Sequence, residues 1–133
     1  MKKIIVILLS ALLLCGCKTA QTSTNTYRQI STQKAISLME KETDYIILDV
    51  RTEAEYEAAH IPGAICVPNE TIGTEAIPEL PDKNQLILVY CRSGNRSKQA
   101  AQKLADQGYT NIVEFGGINS WTGEIVAGGT ESD

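Results

Sequence analysis

The sequence is short of the residues that several kinds of site require. It holds a single histidine, His60, in 133 residues, so a Ser-His-Asp site or a multi-histidine metal site has little to draw on. Its four cysteines, at 15, 17, 66 and 91, form no CxxC pair, which leaves a zinc site or a disulfide framework poorly supported. No metal and no cofactor are expected. Positive charge is not in excess: 12 Lys and Arg against 16 Asp and Glu give a net charge of -4, and there is no basic surface from which to argue nucleic-acid binding. No internal repeat is visible. The length allows one domain and is too short for two ordinary ones. Hydrophobic residues at 43% and charged residues at 21% are the balance of a globular chain.

What is present begins with an export signal. Lys2 and Lys3 precede an apolar run from Ile4 to Leu14, broken only by Ser10. That run falls short of the ~20 residues that cross a bilayer and has the length and flanks of a signal-peptide core. It ends in Leu14-Cys15-Gly16-Cys17, which resembles a bacterial lipobox: an aliphatic residue, two small ones, then the cysteine that is lipidated. Cys15 stands where Ala or Ser is commoner, and it is itself a poorer acceptor because bulky Leu14 precedes it. An ordinary secretory signal with two chance cysteines is the plainer alternative; a small residue and then Cys directly after the apolar core speaks against it. Residues 1–16 are therefore expected to be a lipoprotein signal peptide, with Cys17 the lipidated residue. Residues 17–29 are expected to be a flexible tether, since Lys18 to Gln29 is rich in Thr, Ser, Asn and Gln. Acyl chains, not a helix, would hold the protein to a membrane of the bacterial cell envelope. Residue 18 is Lys and not Asp, which by resemblance to lipoprotein sorting signals implies the outer membrane, facing the periplasm, where two membranes exist.

From Ile30 the pattern alternates between strand and helix. Ser31 is placed to cap a helix with Ala35, Ile36, Leu38 and Met39 at helical spacing. Tyr45 to Val50 reads as a strand buried on both faces. Thr52 with Glu55 forms a capping box that opens a short helix to Ala59. Pro62-Gly63 is a turn, and Ala64 to Val67 a brief second strand. Asn69 to Lys83, with Pro78 and Pro81, is mostly loop. Leu86 to Tyr90 is the clearest strand, Ser97 to Gln107 an amphipathic helix stopped by Gly108, and Ile112 to Phe115 a last strand. Gly116-Gly117 then leads to a short helix bearing Trp121. Such alternation implies an α/β domain with a mainly parallel sheet over 30–128 and a short tail, 129–133. Ligands of such sheets bind beyond the carboxyl ends of the strands, which singles out the segment after Tyr90.

That segment is Cys91-Arg92-Ser93-Gly94-Asn95-Arg96-Ser97. Its short, permissive loop can turn backbone N–H groups inward as an anion-binding nest. The following helix aims its positive end at the loop, and Arg92 and Arg96 add two cations. A thiol of ordinary pKa ~8.5 is pulled toward thiolate in such a field, and the same field holds the negative charge of a persulfide. Read singly, Cys91 is a small core residue at a strand end. Gly94, two arginines and a helix start in one short loop favour the reactive reading.

At these residues the chain resembles the rhodanese family. It carries Asp49-Val50-Arg51, Glu55-Tyr56, His60-Ile61-Pro62-Gly63-Ala64, the Cys91 to Ser97 loop, and Gly116-Gly117-Ile118-Asn119-Ser120-Trp121, in the family's order and spacing. The resemblance runs from about Ile30 to Gly128, and Cys66 is its one oddity. It implies a rhodanese-like α/β fold, a mainly parallel five-stranded sheet with helices on both faces. It further implies a sulfurtransferase in which Cys91 takes a sulfane sulfur from a small anionic donor such as thiosulfate and passes it to a thiol-type acceptor. Arg92 and Arg96 would orient the donor, and the amides of Ser93, Gly94, Asn95, Arg96 and Ser97 would stabilise the bound sulfur. Asp49 and Arg51 are read as supporting residues, paired with one another or capping amides, rather than as acid and base. His60 is read as a hydrogen bonder within its turn, Trp121 as core or pocket rim, and Cys66 as a buried strand residue. Phosphatases and arsenate reductases of the same fold have a longer loop; four residues separate Cys91 from Arg96 here. A non-catalytic binding module would be marked by loss of the cysteine, and a thiol redox protein needs a resolving cysteine nearby. A monomer is expected.

Overall fold

The computed structural model describes residues 25–129; the expected signal peptide, Cys17 and most of the expected tether lie outside them. The elements in chain order are β1 (Arg28–Gln29), α1 (Thr32–Lys41), β2 (Tyr45–Asp49), α2 (Glu53–Ala58), β3 (Ile65–Cys66), β4 (Leu86–Cys91), α3 (Asn95–Asp106) and β5 (Ile112–Gly117). Single 3-10 turns occupy Asn69–Thr71 and Ile118–Ser120. The five strands make one sheet in the order β1-β5-β4-β2-β3, and every pairing is parallel. The α/β class is the one the alternation of elements implies, and the five-stranded parallel sheet is the one the family resemblance implies.

β2, β4 and β5 read as near-continuous apolar runs because both faces of the sheet are covered. Side chains alternate along each strand, and the alternation sorts them into two cores. Ile87, Val89 and Cys91 of β4 and Ile112 of β5 pack with Ala100, Ala101 and Leu104 of α3. Leu88 and Tyr90, with Ile47, Val113 and Phe115, pack on the other face with Ala35 of α1 and Tyr56 of α2. Cys91 is therefore on the α3 side by the same period of two that puts Tyr90 on the opposite side.

The helix starts follow from their caps. The Ser31 hydroxyl accepts from Lys34 N–H at 3.2 Å, and Thr52 Oγ1 accepts from Glu55 N–H at 3.2 Å.

Three features depart from the sequence reading. The last two residues of the expected tether, Arg28 and Gln29, form β1 against β5, and Ile30 N–H donates to Glu114 O at 2.9 Å. Two polar residues carry no strand pattern; they are held by backbone pairing to a neighbouring strand. Helix α3 begins at Asn95, two residues before Ser97, because Gly94 takes a φ of +114° as its N-cap. That left-handed turn is open to glycine at little cost. Trp121 follows its 3-10 turn instead of lying on it; the ring packs on Phe115, with centroids 5.9 Å apart.

Candidate active site

Cys91 ends β4 and is 1% exposed. Its Sγ accepts from Gly94 N–H at 3.0 Å and lies 3.4 Å from the Ser97 hydroxyl. Burial pushes the thiol up, but the Ser97 hydroxyl and the amides of Ser97, Gly94 and Ser93 pull it down, and the pull prevails. The turn at Gly94 and the first turn of α3 thus aim donors at one sulfur, as the nest argument anticipates for this loop.

The far wall of the loop is β5. Gly117 pairs with Cys91 in the β4–β5 ladder, and a Cβ built on Gly117 would lie 2.0 Å from Arg92 O. A glycine is required there by the close approach of the Cys91 loop. Gly116, with a φ of +89°, donates its N–H to Glu114 Oε1 at 2.8 Å. The same oxygen accepts from the Ser97 hydroxyl at 2.6 Å. Glu114 is 2% exposed, and it is the functional-site neighbour that the sequence reading passes over. The signal was an acid inside the apolar run Ile112 to Phe115.

Arg96, in the first turn of α3, does not stand free. Its Nη1 and Nη2 donate to Glu55 Oε1 and Oε2 at 2.7 and 3.0 Å. Hydrogen bonding to Arg96 is the main cause that brings the Glu55 carboxyl down to about 2. Arg92 is exposed. It borders an open cavity of about 470 Å³, whose lining also includes Arg51, Glu55, Ile118 and Ile125. Asn95 is exposed and Ser93 likewise, whereas Gly94 and Ser97 are buried.

Asp49 and Arg51 form the support behind this mouth. Arg51 Nη2 sits 2.7 Å from Asp49 Oδ2 and donates to Ala59 O at 2.6 Å, while Arg51 N–H donates to Asp49 Oδ1 at 3.0 Å. Burial lowers the Arg51 guanidinium, and the hydrogen bond and charge of Asp49 more than offset it, leaving it raised. The Tyr90 hydroxyl donates to Asp49 Oδ2 at 2.7 Å and accepts from Ile61 N–H at 3.1 Å. Burial, with Asp49 beside it, holds that phenol well above its ordinary range. His60 Nδ1 is 2.8 Å from Tyr56 O, and its ring stacks on Tyr56 at 3.8 Å. The backbone of His60 bridges to Val126. Asp49, Arg51 and Tyr90 tie the end of β2 to the His60–Ala64 turn and the residue before it, and His60 ties that turn to α2; none of these side chains hydrogen-bonds to Cys91.

Cys66 is half-buried on β3, not fully buried. Edge position explains the difference, since β3 pairs only with β2. Burial and then the Asp49 carboxylate push its thiol up to about 11, so it is a weak nucleophile near neutral pH.

The sheet is parallel, and a cysteine loop whose Gly94 amide faces the thiol stands at the carboxyl end of its central strand. Residues 31–124 match the Rhodanese-like domain family, and the chain belongs to it. It is 37% identical over 71 residues to the thiosulfate sulfurtransferase PspE of Escherichia coli, covering 53% of this chain and 68% of that protein. It is 35% identical over 96 residues to the thiosulfate sulfurtransferase GlpE of Coxiella burnetii, covering 71% of this chain and 87% of that one. Among solved structures it is similar to a rhodanese with anions from E. coli, at a TM-score of 0.58 and 35% identity over 63% of this chain and 99% of that chain.

Proposed function

We propose that this chain is a sulfurtransferase whose Cys91 carries sulfur as a persulfide between a small anionic donor and a thiol-type acceptor. The Cys91 thiolate attacks the outer sulfur of a donor such as thiosulfate. A bond forms from Sγ to that sulfur, the bond to the SO3 group breaks, and its electron pair leaves with sulfite. The acceptor thiolate then attacks the outer sulfur of the persulfide, and the electron pair of the broken S–S bond returns to Cys91. The observation that carries this reading is the Gly94 N–H donating to Sγ at 3.0 Å at the start of α3. Backbone amides and a helix N-terminus stabilise negative charge on sulfur both before and after transfer. Arg92 is the exposed cation at the mouth; Arg96 reaches a donor by sharing its fork with Glu55.

Electrostatics alone would attract phosphate equally well. Loop length favours sulfur: four residues between Cys91 and Arg96 make a small ring of amides, and misplacement by ~1 Å costs ~100-fold in rate. Thiosulfate added to the purified full-length chain should add one sulfur atom by mass to the Cys91-containing peptide. An aryl phosphate should remain intact. Hydrolysis of the phosphate with no added sulfur would reverse the assignment.

We further propose that the domain lies in the bacterial cell envelope, as a monomer held by lipid on Cys17. Support comes from Gly16-Cys17 directly after a short apolar core. No helix among the described residues is long and apolar enough to cross a membrane.

A further inference from the structure

The open cavity that Arg92 borders holds about 470 Å³, more than a donor such as thiosulfate fills. Five heavy atoms displace roughly five waters of ~30 Å³ each, about a third of that space. Ala58, Ala59, Ile118 and Ile125 line part of the cavity, and an anion loses hydration against apolar walls without gaining a bond. Ile125 is 56% exposed yet fixed from both sides. The Trp121 indole donates to Glu124 O at 2.9 Å, and Val126 exchanges two backbone bonds with His60, at 2.8 and 2.9 Å. A single exposed isoleucine is ordinary on a surface; this one is held against a cavity that the residue after Cys91 also lines. Asn119 N–H donates to Arg92 O at 3.2 Å, which joins the wall that carries Ile118 to the cysteine loop.

The same cavity has a hydrogen-bond donor to spare. Arg51 is 5% exposed; its Nε donates to both Asp49 oxygens at 3.0 and 3.2 Å, and its Nη2 donates to Asp49 Oδ2 and Ala59 O. Nη1 makes no such bond among the described residues. Fully buried side-chain nitrogens without a partner do not occur among those residues, so Nη1 reaches open space, and the cavity is the open space that Arg51 lines. Charge at the cavity has the matching sign. Arg51 is paired with Asp49 and Glu55 with Arg96, and each pair cancels. Arg92 is exposed and belongs to neither pair, which leaves one net positive charge.

We propose that this cavity is the subsite of the sulfur acceptor, and that the acceptor is a thiol with a hydrocarbon body and a carboxylate end. The carboxylate takes the free Arg51 Nη1, with the charge of Arg92 added, and the hydrocarbon lies on Ile118 and Ile125. This deepens the sulfurtransferase reading and rests on Cys91 carrying the persulfide. Cys91 is only 1% exposed, and the outer sulfur of its persulfide reaches ~2 Å beyond Sγ. The acceptor thiolate attacks that outer sulfur; the new S–S bond leaves with the acceptor, and the electron pair of the old one stays on Cys91. Arg51 thereby has two duties: one edge of its fork holds Asp49, and the remaining nitrogen is a binding group.

Binding is tested first, because it needs no sulfur chemistry. Acetate, hexanoate and hexanol are titrated separately into the full-length chain and followed by NMR at the Ile118 and Ile125 methyls and the Arg51 guanidinium. A buried methylene is worth up to about fourfold in affinity, and a hydrogen bond to a charged group about tenfold or more. Hexanoate should therefore bind at least about tenfold tighter than either acetate or hexanol. Ile125→Ser should shrink the first ratio and Arg92→Gln the second. Equal affinities for all three, or shifts that miss Ile125 and Arg51, overturn the proposal, and the wild-type titration decides this even where a variant fails to fold. With thiosulfate as donor, mercaptohexanoate should then show a lower KM than mercaptoacetate; equal KM values overturn the acceptor assignment. Tight hexanoate binding with no sulfur loaded on Cys91 would count against the sulfurtransferase reading, whereas loading without hexanoate binding would count against the subsite alone.

Discussion

Arg96 and Glu55 close on one another through two bonds, 2.7 Å between Nη1 and Oε1 and 3.0 Å between Nη2 and Oε2, and so tie the first turn of α3 to α2. The fork geometry is the strong one for a guanidinium and a carboxylate. It also means that a cation the donor needs is already in use.

The Glu55 carboxyl is held at about 2, below its ordinary 4.5. A depressed carboxyl contributes stability that is present above the unfolded value and is lost as pH falls through the folded one. The contribution of the pair should thus fade between about pH 4.5 and about pH 2. Both side chains are about a third exposed, and partial screening keeps the pair to roughly 0.5–1 kcal/mol. Urea melts of Glu55→Gln against the wild type should show that loss near pH 7 and converge in acid. The same variant frees Arg96 and removes a negative charge from the mouth, so KM for thiosulfate should fall. A higher KM would mean that the pair positions Arg96 for the donor.

Cys91→Ser should abolish the persulfide, and Cys66→Ser should retain it. The high-lying thiol of Cys66 supplies little thiolate, and β2 separates β3 from β4. Two strand spacings are roughly 10 Å, beyond the ~7 Å Cα limit for a disulfide, and the two thiols pack on opposite faces of the sheet. Intact mass without reductant should show no Cys66–Cys91 bond. Loss of sulfur loading in Cys66→Ser alone would move the carrier to Cys66.

Gly117→Ala should be among the most harmful single-methyl changes in the domain. Its Cβ would meet Arg92 O at 2.0 Å and Ser93 N at 2.6 Å, both backbone atoms that move only with the loop. Destabilisation of about 3 kcal/mol or more is expected from such overpacking, measured by urea unfolding. Persulfide formation should fall further than stability does, since the displaced peptide lies next to Cys91. A substitution tolerated within ~0.5 kcal/mol would show that the loop yields easily.

Cys17→Ser should block lipid attachment and shift the protein out of the membrane fraction. The signal is local: a basic start, an apolar core too short to span, and then Gly16-Cys17. Fractionation with metabolic acyl labelling reads the outcome. Unchanged lipidation in the variant would remove Cys17 from the assignment.

The sequence alone determined the elements whose signals are local. Apolar runs in β2 and β4 report burial on both faces, Ser31 and Thr52 report the helix caps, and the run Cys91 to Ser97 reports a thiol at a helix start, because each depends on residues within a few positions of one another. What only the tertiary structure decided lies across the sheet. β1 exists through backbone bonds to β5. The Ser97–Glu114 bond spans 17 positions and the Arg96–Glu55 bond spans 41. The approach of Gly117 to Arg92 follows from a register shift between β4 and β5. Strand register and helix packing set such contacts, and neither leaves a periodic trace in the chain; an acid in an apolar strand shows that it must find a partner, and the folded sheet decides that the partner is Ser97.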